Sequence, residues 1–427
     1  MKSSIQPSPK KLLFVLYQFP PSNDVGAQRP MRFIRNLKNF GWQPWVLAPS
    51  NGVYNSYAAD MLEAIRKDCT IIRTPMLFPA ADNTALVPSP PNRATALFWR
   101  IWNRLAIPDG GLAWLPKAVR TGIDIVRKED IPVIVASGQP FSTFVIGAKI
   151  ASATGAGLVL DYRDPWTPNP FFKGSIFRRT PSRLLEGSVL EKAAAAVFTT
   201  DEARRLYAKQ FARIGSKCHT ITNSFEPMDP SSSTAASAQF RLVHAGNFYG
   251  SRNPVHLFQA VAKAIRTHKK LAEDLKISFF GIYSAGKYQH LCQQLGIDNL
   301  VEFFPRIPRS EIYTHLRSAS LLLLINSYGS GHEVFIPSKF FEYLSFRKPI
   351  LCLSEKGALA SIVDNTGAGT VVDPQDENAI ADRLIDLYQR LHIDKEGFCF
   401  DENRIGLYES KRTTETLVSI LDASAVV

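Results

Sequence analysis

Short apolar runs alternate with amphipathic stretches along this chain, stop once, and then resume; no other feature constrains its fold as strongly. Residues 12–17, 45–47, 71–74, 133–136, 158–161 and 197–199 read as strands, with helical periodicity in the gaps. Near-continuous apolar strands of this kind belong to a parallel sheet covered by helices on both faces. Over residues 226–239 the periodicity disappears and Pro, Ser and Ala dominate, the composition of a linker. Alternation restarts at 242–245, 277–280, 301–303, 321–325, 350–353 and 370–372, with helices at 254–268 and 379–392. The expected fold is therefore α/β with two Rossmann-like domains: 1–228, a linker over 229–239, and a second domain from 240. A chain of 427 residues exceeds what one core organises, and a cleft between domains is the ordinary place for a site.

Composition narrows the setting. With 45% hydrophobic and 21% charged residues, and no apolar run near the ~18 residues a membrane span needs, an integral membrane protein is not expected. Lys10 and Lys11 precede an apolar run, but Pro20 and Pro21 stand where a signal peptide would carry its small-residue cleavage site. Cys69, Cys218, Cys292, Cys352 and Cys399 are odd in number and far apart, which fits neither a disulfide framework nor a CxxC metal site and points to a reducing, cytoplasmic compartment. The formal charge of +12 calls for a nucleotide diphosphate, an anionic membrane surface or nucleic acid, and charge alone does not choose among them.

Four segments carry candidate chemistry. The first strand ends in Phe19-Pro20-Pro21-Ser22-Asn23-Asp24-Val25-Gly26, before a helix with Pro30 in its first turns. Gly26 would bring backbone N–H groups up to phosphate oxygens, with Arg29 and Arg32 adding charge, although a structural turn glycine is an equal alternative and GxGxxG is absent. Asp161-Tyr162-Arg163-Asp164-Pro165-Trp166 closes a strand, where α/β sheets present functional loops; a local Asp–Arg pair bracing the loop against Trp166 reads equally well. His244 to Pro254 is a strand end, a glycine-containing loop and a helix start, with Arg252 placed to clamp a diphosphate. Around Ser338, a plausible N-cap, Lys339 and Glu342 share a helix face; a capping box would need its acid at Phe341, which leaves Glu342 for a ligand such as ribose hydroxyls. An exposed Lys–Glu pair is the alternative, and the apolar surroundings argue against it. Between residues 88 and 120 the pattern breaks into Pro-rich turns and an aromatic, basic stretch at 97–104, with a second such stretch at 171–179; a lipid interface and an internal lid explain these equally.

Taken in order, the Phe-Pro-Pro loop to Gly26 with Gly41-Trp42, the Asp-Tyr-Arg-Asp-Pro-Trp motif, Gly-x-x-Tyr-Gly-x-Arg-x-Pro at 246–254, and Lys-Phe-Phe-Glu-Tyr-Leu at 339–344 leading into Lys348-Pro349 resemble a family 4-type glycosyltransferase of the GT-B fold. The resemblance implies two facing Rossmann-like domains with a central cleft, the second spanning 240–405, and a final helix within 406–427 packing back on the first. It implies a sugar nucleotide, UDP-linked by preference, with its ribose on Glu342 and its diphosphate near Arg252, Lys339, Gly246 and Gly26. It also implies retaining transfer to a hydroxyl of a saccharide or lipid-linked acceptor in surface polysaccharide or glycolipid synthesis. The chain departs from the family pattern at Val334, where an acid is usual with Glu333 one position off, and at Asn253, where a lysine is common. Arg163 or Asp164 stands in for the family's histidine, which puts Asp164 at the anomeric centre. His332 and Glu333, with Asn23 and Gln139, are candidate contacts for the sugar or acceptor, although a loop histidine is more often a solvated polar residue. No DxD triplet occurs, so neither a metal nor another cofactor is expected. The competing readings are a GT-B-type UDP-sugar epimerase and a basic nucleic-acid-binding protein, the latter without a recognised motif. The expected location is cytoplasmic, with peripheral contact on the inner face of an anionic membrane.

Overall fold

The computed structural model describes residues 9–52, 54, 56–77, 93–169, 172, 176–228, 238–281 and 285–425. In it the chain divides into two units, residues 1–223 with 410–427 and residues 224–409. Most of the expected linker lies outside the described residues.

In the first unit β1 (Lys10–Leu16), β2 (Trp42–Pro49), β3 (Thr70–Thr74), β4 (Val133–Gly138), β5 (Gly157–Tyr162), β6 (Ala195–Phe198) and β7 (Cys218–Thr220) form one sheet in the order β3-β2-β1-β4-β5-β6-β7. Every pairing is parallel, and Leu13 lies in register between Trp45 and Ile134. All six residues of β4 and of β5 are buried, because helices cover both faces; that is why these strands are mainly apolar and do not alternate. The helix Ser410–Ser424 belongs to this unit. Leu417, Ile420 and Leu421 join a core with Leu12, Phe14 and Val159, worth roughly 2 kcal/mol for each side chain removed from water, and Lys10 Nζ meets Asp422 at 2.6 Å.

The second unit repeats the plan with β8 (Phe240–Ala245), β9 (Leu275–Phe280), β10 (Val301–Phe304), β11 (Leu321–Ile325), β12 (Ile350–Leu353) and β13 (Gly369–Val372), all parallel in the order β10-β9-β8-β11-β12-β13. Helices Val255–Thr267 and Glu377–Tyr388 bury Phe258, Val261, Ile380 and Leu384 on one face. Phe340, Phe341, Leu359 and Val363 cover the other.

Three local differences from the sequence reading have physical causes. β7 is a three-residue Cys-His-Thr edge strand, half exposed, with no apolar run to betray it. Residues 93–105 form a helix where the sequence shows only a broken pattern; its described outer face carries Leu97, Ile101 and Leu105, a spacing of four masked by the prolines before it. Ser338 opens the helix Ser338–Leu344, but Pro337 is the N-cap and no side chain caps it, so the expected serine cap is absent.

Candidate functional site

In each sheet the strand order reverses at one point, between β1 and β4 and between β8 and β11. Loops leaving the carboxyl ends of those strands diverge to opposite faces and open a crevice that parallel α/β sheets use for ligands. Gly246, Arg252, His332 and Glu333 lie on the loops after β8 and β11, and Lys339 lies in the first turn of the helix that follows.

His244, one residue from the end of β8, is fully buried with its ring stacked on Phe248 at 5.1 Å. Its Nδ1 lies 2.9 Å from the Leu323 carbonyl and therefore carries the proton. Burial first, and the nearby Lys339 second, hold this imidazole well below its usual pKa, so it is neutral. Gly246 follows with φ +137°, and a Cβ there would sit 1.9 Å from Lys339 Nζ; only glycine combines that backbone conformation with that approach. Among the described residues no acid and no hydrogen-bond acceptor meets Lys339 Nζ. Arg252 donates to Tyr249 Oη at 2.7 Å and to Asn326 Oδ1 at 3.4 Å, lies over the Tyr249 ring at 4.8 Å, and keeps its buried Nε unpartnered. Burial, then Arg252, pushes the Lys339 ammonium down to about 7. Two cations thus stand together at the switch point, and among the described residues no carboxylate forms an ion pair with either.

One turn beyond Lys339, Glu342 Oε1 accepts from Arg309 Nε at 3.0 Å, Arg309 Nη2 at 2.6 Å and Tyr313 Oη at 2.6 Å. The reading that left Glu342 wholly to a ligand needs correction here, since this oxygen already has three donors. Tyr343 Oη accepts from the Ala245 N–H at 2.9 Å, which pins the helix to the end of β8. The loops are stitched to each other as well. Ser251 Oγ donates to the Tyr328 carbonyl at 3.0 Å and accepts from its N–H at 3.1 Å, and Glu355 Oε2 accepts from the Gly329 N–H at 2.9 Å. His332 is half-buried, which lowers its pKa, and Glu333 is exposed. Both line a small cavity with Asn326 and Glu355.

In the first unit, Arg163 spans three loops. Its Nε donates to the Gly138 carbonyl at 2.5 Å, Nη1 to Gln18 Oε1 at 2.9 Å and Nη2 to the Gln139 carbonyl. A Cβ on Gly26 would lie 1.6 Å from both Arg163 Nη1 and Gln18 Oε1, so the packed guanidinium accounts for glycine at that position without a ligand. Gln139 presents an exposed side chain, and the N–H of half-buried Asn23 donates to the Ser56 carbonyl at 2.9 Å. Asp164 is half-buried and accepts no hydrogen bond from a described residue; burial raises its pKa against the pull of Arg163. The other acid of the motif is structural. Asp161 Oδ1 meets Arg29 Nε at 3.0 Å and Oδ2 accepts from Ser137 Oγ at 2.8 Å, while Arg29 also donates to the carbonyls of Ile221 and Thr222. Arg29 and Arg32 are buried, so neither adds the open charge that the sequence suggested. Beneath the Asp164 loop, fully buried Glu186 accepts from the Thr167 N–H at 3.1 Å and from Tyr207 Oη at 2.6 Å, and Tyr207 Oη accepts from the Trp166 N–H at 2.7 Å.

His244, Arg309, Tyr313, Gln18 and Glu186 are absent from the sequence-based site. Arg309 and Tyr313 left a faint signal, an i,i+4 spacing at the start of the helix Arg309–Ser318; the others left none.

Residues 228–391 match the family model of glycosyl transferases group 1. That match lies within the second unit, residues 224–409. Across the whole chain the fold is that of GT-B proteins, two Rossmann-like domains. A glycosyltransferase from Rickettsia africae is 13% identical, with 97% of this chain and 98% of that one covered at a TM-score of 0.66. An Anabaena protein solved in complex with UDP-glucose is 12% identical, with 97% and 99% covered at 0.63. A Listeria monocytogenes protein described as a UDP-N-acetylglucosamine 2-epimerase is 10% identical, with 97% and 96% covered at 0.55. No curated protein matches the sequence. Among the described residues, no helix is long and apolar enough to cross a membrane.

Proposed function

We propose that the protein is a retaining glycosyltransferase that moves a sugar from a nucleoside diphosphate sugar, UDP-linked by preference, to a hydroxyl of a saccharide or lipid-linked acceptor in surface polysaccharide or glycolipid synthesis. The observation that carries this reading is the pair Arg252 and Lys339, two cations at the switch point of the second unit that form no ion pair with an acid among the described residues. A diphosphate supplies the missing negative charge. Gly246 lets its oxygens come close to the backbone, Glu342 takes the ribose hydroxyls, and His332 and Glu333 face the sugar.

In the reaction the bond from the anomeric carbon to the phosphate oxygen breaks as the acceptor oxygen bonds to that carbon on the same face. The acceptor proton passes to the departing phosphate oxygen. Arg252 and Lys339 stabilise the charge that develops there, the role a divalent cation fills in other enzymes, and turnover without added metal is expected. In the first unit Asp164 is the candidate catalytic residue, and Arg163, with Gln139 and Asn23, orders the acceptor loops. Incubation with a radiolabelled UDP-sugar tests this: label should enter the acceptor with one UDP released per transfer, and NMR should show the donor's anomeric configuration retained. Release of UDP and an epimerised free sugar without acceptor, the outcome for an epimerase on the same fold, would overturn it.

The low pKa of Lys339 gives donor binding a definite pH dependence. A bound diphosphate favours the ammonium form, so above about pH 7 binding must take up a proton. The Kd for UDP is expected to be flat below that value and to rise above it, approaching ~10-fold per pH unit. Calorimetry in buffers of different ionisation enthalpy measures the uptake; a flat profile to pH 9 would count against it.

We further propose peripheral binding to an anionic bilayer. The helix Arg93–Leu105 exposes Leu97, Phe98, Ile101 and Leu105, and the helix Ile176–Lys192 exposes Phe177 and Leu184 with Arg179 and Arg183 beside them. Arg178 ties the two helices by donating to the carbonyls of Asn103, Arg104, Ala106 and Pro108. Trp99 is buried and Trp102 Nε1 donates to the Gly110 carbonyl at 2.9 Å, so the tryptophans hold the helix down and the aliphatic face meets the lipid. Replacing Leu97, Phe98 and Ile101 by serine is expected to weaken sedimentation with phosphatidylglycerol vesicles by ~10-fold or more; unchanged sedimentation would refute the surface.

A further inference from the structure

The contacts of Glu342 carry more than the ribose reading requires. Arg309 and Tyr313 both rise from the helix Arg309–Ser318, outside every segment that the sequence marks for donor binding. Arg309 lies over the Tyr313 ring at 5.3 Å, and Tyr313 abuts Phe346 edge to face at 5.2 Å. Three donors from this stacked pair converge on one oxygen, Glu342 Oε1. With side-chain exposures of 51% and 26%, the Arg309–Glu342 pair adds little stability. What it does instead is remove the rotational freedom of a glutamate that sits one turn from Lys339.

The geometry points to Arg309 and Tyr313 as positioning residues that aim the Glu342 carboxylate and thereby select the donor as a ribonucleotide. This rests on the reading that Glu342 holds the ribose. A freely rotating glutamate would accept from ribose hydroxyls at an entropic cost in every binding event. A clamped one presents its carboxylate at a set distance from Lys339, so that ribose and pyrophosphate are gauged together, and a sugar lacking the 2′-hydroxyl leaves that carboxylate short of a donor.

The test is calorimetric titration of the full chain with UDP, 2′-deoxy-UDP and pyrophosphate. The variants are Tyr313→Phe, which keeps the packing against Phe346, together with Arg309→Met, Glu342→Ala, and each of the first two combined with Glu342→Ala; circular dichroism confirms folding. Tyr313→Phe and Arg309→Met are each expected to weaken UDP binding about five- to tenfold, to narrow the preference for UDP over 2′-deoxy-UDP, and to leave pyrophosphate affinity unchanged. In the Glu342→Ala background they should add nothing, because a residue acting through Glu342 has no further route. If both single variants match wild type in UDP affinity and discrimination while Glu342→Ala does not, the clamp is overturned and the ribose reading stands. If Glu342→Ala itself binds UDP as wild type does, both fall.

Discussion

Lys339→Met is expected to lower turnover by ~10²–10³-fold, the usual cost of removing one fixed donor from a developing phosphate charge. The loss should come without destabilisation, and that combination separates a ligand site from a structural one. Burial and Arg252 disfavour the Lys339 ammonium in the folded protein, holding its pKa at about 7 where an exposed lysine has 10.5. Because the folded-state value is the lower one, the unfolded chain binds the extra proton between those limits. The penalty is therefore fully present below about pH 7 and fades as pH rises toward 10.5. Methionine keeps the stem and removes the charge, so thermal unfolding at pH 6 should occur at the same temperature or higher. Steady-state kinetics with product quantification, beside a melting curve, measures both; a variant that melts early, or one that turns over at the wild-type rate, would contradict the assignment.

The second large effect concerns stability. Asp161→Ala is expected to destabilise the protein by about 3–5 kcal/mol, the range for stripping the partner from a buried charge. A fall in Tm on the order of 10 °C is the consequence for a unit of this size. Arg29 and Asp161 have side-chain exposures of 4% and 5%, so alanine would leave a guanidinium without water or counter-charge. It would also free Ser137 Oγ from its acceptor. Replacing both partners, Arg29→Met with Asp161→Leu, should recover most of the loss, because an apolar pair leaves nothing unpaired. Calorimetric scans of the three proteins decide it, and a Tm within about 2 °C of wild type for Asp161→Ala would be inconsistent with a buried pair.

The strands were legible because a parallel sheet covered on both faces leaves long apolar runs; 321–325 and 350–353 coincide with β11 and β12 to the residue. β7 was not, since an edge strand of Cys-His-Thr buries too little to leave a pattern. At the candidate site, chain order alone marks the loops at the carboxyl ends of strands, and Gly246, Arg252 and Lys339 do share one edge. Chain order cannot tell which charge turns inward. Arg29 and Asp161 read as site residues and instead pin a helix to β5. Arg309 read as nothing and holds Glu342. Long-range pairing decides such cases, and separations of 132 and 33 residues carry no local periodicity.

Everything proposed for catalysis depends on one binding event, a nucleoside diphosphate drawn to Arg252 and Lys339, and thermal unfolding in the presence of UDP, GDP and ADP measures it most directly. A ligand at 100 times its Kd adds ~2.7 kcal/mol to the folded state. At least one of the three, UDP first, should raise Tm by several degrees, and the Arg252→Met, Lys339→Met double variant should lose that rise. If no nucleoside diphosphate shifts the wild-type Tm, or if the double variant responds as fully as wild type, the two cations do not hold a donor.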